Sequence, residues 1–83
     1  MAKKKTDIEI MEDKDIMRAA MVSREIKQAE LADMLGMKQP SLSGNMNRSR
    51  IGLDTVGKIL KALDYDVVIA DHKTGEVVWQ VKI

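Results

Sequence analysis

Eighty-three residues with a formal net charge of +1 make one small domain. A chain of that size buries only ~60–65% of the surface it exposes when unfolded, so a subunit interface would add to a thin margin of stability. With no cysteine and one histidine, His72, there is no disulfide framework, no thiolate or histidine metal site and no cysteine nucleophile, and no cofactor is implied.

In chain order, residues 1–6 read as a disordered basic tail. The start Met1-Ala2-Lys3-Lys4-Lys5 lacks an apolar signal core, and no apolar run approaches the ~18 residues needed to cross a bilayer. A cytoplasmic protein with no membrane partner is therefore expected. Asp7, Glu9, Glu12, Asp13 and Asp15 then stand against Lys14 alone. A helix is expected over about 13–23, with Ile16, Ala20 and Met21 inward and Arg18 and Arg24 outward. Its start is poorly marked, because Ile8 and Ile10 alternate as in a strand, and Asp7 is the earliest possible beginning. Ile26 is placed to plug the joint with the next helix.

That helix opens at Gln28. Leu31, Met34 and Leu35 recur at i, i+3 and i+4, an apolar face set against a core. Ala32 is small where another helix would cross closely. Gly36 sits where the helix should stop, since a left-handed backbone costs glycine least. A second helical pattern, Gln39–Asn47, begins three residues later and offers only Leu42 and Met46 to the core. The rest of it is dense in amides and hydroxyls, as expected of a helix read from outside. Two helices joined by a tight glycine-containing turn form the helix-turn-helix unit, whose second helix enters the major groove of DNA. From Lys38 to Gly52 there is no acid, while Lys38, Arg48 and Arg50 are basic, as phosphate contacts require.

Gly52-Leu53-Asp54-Thr55 opens a further helix, with acid and hydroxyl groups at its positive end. Leu53, Val56, Ile59, Leu60 and Leu63 form its core stripe, and Lys58 and Lys61 face water. From Tyr65 the period changes to two. Tyr65, Val67 and Ile69 share one face, and Val68 and Ala70 the other. The cluster Asp71-His72-Lys73-Thr74-Gly75-Glu76 is a turn, and Val77–Ile83 resumes with β-branched and aromatic residues, a β-hairpin signal. An isolated hairpin is marginal, and this one carries apolar groups on both faces. One face is expected to pack on the helices. The other wants a partner, most simply a second copy of the chain, with Val67, Ile69, Val77, Trp79 and Val81 as the expected dimer interface.

The run Gln28-Ala29-Glu30-Leu31-Ala32, then Gly36, then Gln39-Pro40-Ser41-Leu42-Ser43, and then Leu53…Ile59-Leu60…Ala62-Leu63, resembles the Cro/CI-type (lambda-repressor-like, XRE) helix-turn-helix family over about 16–63. The tail from Leu63 to Trp79 looks like a subgroup of small phage and bacterial regulators that end in strands. The resemblance implies a mainly α fold. A helix-turn-helix domain of about four helices over 7–64 would be followed by a C-terminal β-hairpin over 65–83, an element such relatives commonly use to dimerise. It also implies roles for individual residues. Gln28 would meet a phosphate or brace the reading helix. Lys38 and Gln39 would lie at the end that enters the groove, with Gln39 reading adenine through N6 and N7. Ser41, Ser43, Gly44 and Asn45 would face DNA, and Asn47, Arg48 and Arg50 would meet the backbone. The chain departs from the family at Gly44, where a long side chain is common, and at Asn45, where a branched apolar one is. Met46 is expected to supply that apolar contact, and Gly44-Asn45 is weak helix-forming material that predicts a short reading helix.

Enzymatic function has no support: no nucleophile, base and acid fall together, and no phosphate loop or metal spacing is present. Tyr65 and Trp79 are the only aromatics and lie outside the basic region, which disfavours binding of single strands by stacking. The reading that follows is a sequence-specific regulator of double-stranded DNA, a homodimeric repressor on a palindromic operator. The alternative is a protein-interaction module on the same scaffold, an antitoxin or a phage inhibitor, with a toxin or host protein as partner.

Overall fold

The computed structural model describes residues 9–83. Four helices, α1 (Asp13–Arg24), α2 (Gln28–Met34), α3 (Gln39–Met46) and α4 (Leu53–Ala62), precede two strands, β1 (Val68–Ala70) and β2 (Val77–Gln80). Mainly helical with a C-terminal antiparallel hairpin, the architecture is the one expected from the sequence. Residues 9–12 are not helical, so α1 begins at Asp13. The tail expected over 1–6 lies outside the described residues.

Helices α1, α2 and α4 each carry acid in their first turn: Asp13 and Asp15, Glu30, and Asp54. Such charges offset the positive end of the helix dipole. Helix α3 has none there and instead has Pro at the start, where a missing N–H costs nothing.

Three helices end in the same way. After α2, Met37 N–H bonds Ala32 O at 2.9 Å and Gly36 N–H bonds Asp33 O at 3.1 Å, with Gly36 at φ +65°. After α1 the pair is Ile26 to Met21 and Glu25 to Val22, and after α4 it is Tyr65 to Leu60 and Asp64 to Lys61. Each is a Schellman motif, which satisfies carbonyls the helix leaves bare. Glu25 (φ 55°) and Asp64 (φ 67°) adopt the left-handed backbone without being glycine, at a cost of roughly 1 kcal/mol each. The residue after each left-handed position, Ile26, Met37 or Tyr65, folds back onto the core. Ile26 thus occupies the joint expected of it.

The core joins all four helices. Met17, Ala20 and Met21 of α1 meet Leu31 and Ala32 of α2, Leu42 and Met46 of α3, and Ile59, Leu60 and Leu63 from α4 and its end. Three residues expected inside are not there. Met34 is 53% exposed, because α2 turns Leu31, Ala32 and Leu35 inward, and Met34 falls well off that direction. Ile16 is 38% exposed on the rim of the α1 stripe set by Met17, Ala20 and Met21. Leu53 is 55% exposed, since it opens α4 a full turn before Val56 reaches the core.

Arg24 joins the two ends of the helical unit. Its Nε–H bonds Leu63 O at 2.9 Å, its Nη2 bonds Asp64 O at 3.1 Å, and the guanidinium lies 4.1 Å from the centre of the Tyr65 ring. It therefore caps the end of α4 and stacks on an aromatic face at once.

The hairpin pairs Val68 with Gln80, Ile69 with Trp79 and Ala70 with Val77, with an irregularity between Ile69 and Ala70. In the turn, Asp71 Oδ1 accepts from the N–H groups of Lys73 and Thr74, and Gly75 takes a φ of 77°. Beyond the strands, Val81 N–H bonds Val67 O at 2.8 Å. Tyr65 and Val67 pack on the core, and a Cβ on Gly57 of α4 would run into the Ile83 side chain, so Ile83 seats directly on that helix. The strands are shorter than the sequence suggests, and no residue of either strand is buried. The expectation that one strand face packs on the helices holds only at the base of the hairpin. Ile69, expected in a dimer interface together with Val67, is 47% exposed in the protomer, while Val67 packs on the core.

Candidate nucleic-acid interface

Helix α3 spans Gln39–Met46 in full. Gly44 and Asn45 do not end it early, because Leu42 and Met46, 0% and 2% exposed, hold the middle and the end of the helix to the core. With those two inward, Ser41 and Gly44 turn out, while Ser43 and Asn45 border the buried stripe. Lys38 precedes the helix in an extended conformation, and Lys38, Gln39, Ser41 and Gly44 are exposed. A Cβ placed on Gly44 would meet nothing within 4 Å. Ser43 is half-buried. Asn45 is half-buried too, beside a groove shared with Leu35, Met37, Leu42, Thr55, Lys58 and Ile59.

Gln28, at the start of α2, donates from Nε2 to the Met46 sulfur at 3.7 Å. Of the two roles open to it, bracing α3 is the one with a contact in the protomer. Asn47 closes α3. Its Nδ2 donates to Ser43 O at 2.8 Å and Ser43 Oγ at 3.3 Å, and its Oδ1 accepts from Arg18 Nη2 at 2.8 Å. Arg48 and Arg50 are exposed on the connection to α4. The structure therefore leaves Lys38 and Gln39 exposed at the start of one helix and Ser41 and Gly44 exposed along its outside, with Ser43 and Asn45 at its flanks. It puts Asn47, Arg48 and Arg50 at and beyond its end. The bond from Arg18 links residues 29 apart in sequence, and no local pattern signals it.

The turn between α2 and α3 is set by Gly36 and by Met37 packing on the core, and α2 and α3 are in direct contact. A helix-turn-helix family model matches residues 17–69, more than half the chain. The protein belongs to the Cro/CI-type (XRE) helix-turn-helix family. This helix-turn-helix protein is accordingly a DNA-binding regulator, in a family of regulators rather than of enzymes. The match runs from the inward face of α1 to the middle of β1 and leaves β2 outside it. No curated protein and no solved structure matches the sequence. Among the described residues, no helix is long and apolar enough to cross a membrane.

Proposed function

We propose that the protein is a homodimeric repressor that reads a palindromic operator, each protomer laying the N-terminal half of α3 in a major groove. The observation that carries this reading is the chemistry of α3. Among the described residues it is the one helix without acid in its first turn, so its positive end is left for DNA rather than offset internally. Gln39 projects from that end with an amide that matches adenine N6 and N7, and Lys38 beside it suits a phosphate. Ser41 and Ser43 add short hydrogen-bonding groups on the flanks. Gly44 adds no side chain, so the backbone of α3 can approach a base edge closely there. Arg48 and Arg50 supply backbone charge past the end of the helix.

The hairpin supports the dimer. Ile69 and Trp79 are opposite one another, so they share the face that Val67 and Val81 begin at the base. That face leaves the helices half-way along. Val67 and Val81 are half-buried within the protomer, whereas Ile69 and Trp79 are 47% and 68% exposed, and Val77 on the other face is 62% exposed. A second copy meeting the first across Ile69 and Trp79 would cover what one set of helices is too small to reach. Two-fold symmetry then sets half-sites about 34 Å apart. Blocking promoter DNA is the simplest mechanism of repression open to such a dimer.

Selection of bound duplexes from a random library, with Gln39→Ala alongside, tests the reading. A palindromic consensus that the variant loses supports it. Binding without sequence preference would overturn it and favour a protein partner, such as a toxin or host protein, for the hairpin.

A further inference from the structure

One corner of the molecule gathers three elements that sequence keeps apart. Gln28 begins α2 and reaches Met46 near the end of α3. Asn47 closes α3, with its amide tied to Ser43. Arg18, on α1 and outside the two-helix unit, meets Asn47 Oδ1 at 2.8 Å. Arg18 and Lys27 also line one shallow groove at the α1–α2 joint, together with Met21, Val22, Glu25 and Ile26. The guanidinium therefore stands between the start of α2 and the end of α3.

The start of α2 faces the DNA backbone when a helix-turn-helix docks, because the first helix of the pair crosses the phosphates, and the backbone contacts proposed above for Arg48 and Arg50 put the end of α3 beside it as well. The state of Arg18 suits such contact. Its acceptor in the protein is a neutral amide, so the bond fixes the side chain without cancelling its charge. A guanidinium has five N–H donors in a rigid fork, and Arg18 commits Nη2 to Asn47 while the residue stays exposed. Asn47 is held in turn by two bonds from its Nδ2, which places the positive charge before DNA arrives and removes part of the ordering entropy of a long side chain. Glu25 shares the groove, yet the bond Arg18 makes is to Asn47.

We propose that Arg18 is a phosphate-binding residue of the DNA interface, positioned by Asn47, which extends the contact surface from the helix-turn-helix unit onto α1. The proposal rests on the DNA-reading function above. Contact with a phosphate releases counterions, so it appears in the salt dependence of affinity and not only in affinity itself. A purely structural bond between Arg18 and Asn47 would leave that dependence unchanged.

The test is titration of the full-length protein onto a fluorescent duplex across a series of salt concentrations, for wild type, Arg18→Gln and Arg18→Lys, with thermal melts of each. Arg18→Gln should weaken binding about equally on all duplexes and shrink the slope of log K against log salt by about 0.9 per bound protomer. Arg18→Lys should keep the slope, because it keeps the charge. A wild-type slope in Arg18→Gln overturns the proposal, whether or not affinity falls. A slope lost in Arg18→Lys as well overturns it too, since charge would not be what matters. Failure of the wild type to bind any duplex would instead overturn the DNA-reading function, which separates the two failures.

Discussion

The helical unit has a closed core, in which Met17, Leu31 and Leu42 are each 0% exposed and Ile59 is 2% exposed, while Val22, Met34 and Leu53 stay outside it. In the hairpin, Val68, Ile69, Val77, Val78 and Trp79 are between 41% and 68% exposed. Four short helices packed around Met17, Leu31, Leu42, Met46 and Ile59 can cover one another's stripes. Strands of three and four residues have only the core edge at Tyr65 and Val67 and the seat of Ile83 on α4 behind them. The contrast teaches that the two regions are stabilised differently. The helices share a closed core, whereas the outer hairpin leaves apolar area exposed in the protomer, as an interaction surface would.

The strongest way to break this contrast is in the core. Leu42→Ala removes the side chain that seats the middle of α3 and should cost about 2–5 kcal/mol in urea unfolding, against less than about 1 kcal/mol for an exposed apolar truncation. A small effect at Leu42 would mean that α3 is not anchored as described. On the hairpin side, Trp79→Ser should leave helical circular dichroism intact while shifting sedimentation from dimer to monomer. Wild type that sediments as a monomer would refute the dimer, and a Trp79→Ser dimer as stable as wild type would place the interface elsewhere.

Arg24 bridges the regions, so it sharpens the comparison. Arg24→Ala deletes two bonds to the end of α4 and the stack on Tyr65. It should destabilise by about 1–2 kcal/mol and raise amide exchange at the base of the hairpin more than within α2. Uniform exchange changes would mean that Arg24 does not couple the two. The smallest effect is expected at Gly44, where an added methyl meets open space inside a helix. Gly44→Ala should stabilise by about 0.5–1 kcal/mol, or roughly 4 °C in melting temperature. It should also weaken binding to the operator if DNA approaches α3 closely there. A destabilised variant would show that the backbone at Gly44 is constrained in a way its geometry does not reveal.

Much of the helical region was legible because its signals are local. The Gln28–Ala32 opening, Gly36, the Leu42/Met46 spacing and the Val56, Ile59, Leu60, Leu63 stripe each fix an element within one or two turns. The errors came where burial depends on what lies opposite. Met34, Ile16 and Leu53 have core spacing, but no neighbouring element reaches them. One of the three Schellman endings was visible, the one with glycine. Glu25 and Asp64 take the same left-handed backbone with nothing in their identity to announce it. The Arg18–Asn47 bond was illegible for a different reason, since it joins α1 to α3 through tertiary packing alone. On α3, the identities of Gln39, Ser41, Ser43 and Asn45 were in the sequence. Which of them are exposed and which half-buried follows from Leu42 and Met46 pointing inward.

The claim at the centre of this account is that α3 reads bases through Gln39. Equilibrium titration of wild type and Gln39→Ala against the selected operator and a scrambled duplex, at one near-physiological salt concentration, tests it most directly. The account predicts that the variant loses about 1–3 kcal/mol of discrimination between the two duplexes while its affinity for the scrambled duplex stays near that of wild type. An equal loss on both duplexes, or undiminished discrimination, would contradict it.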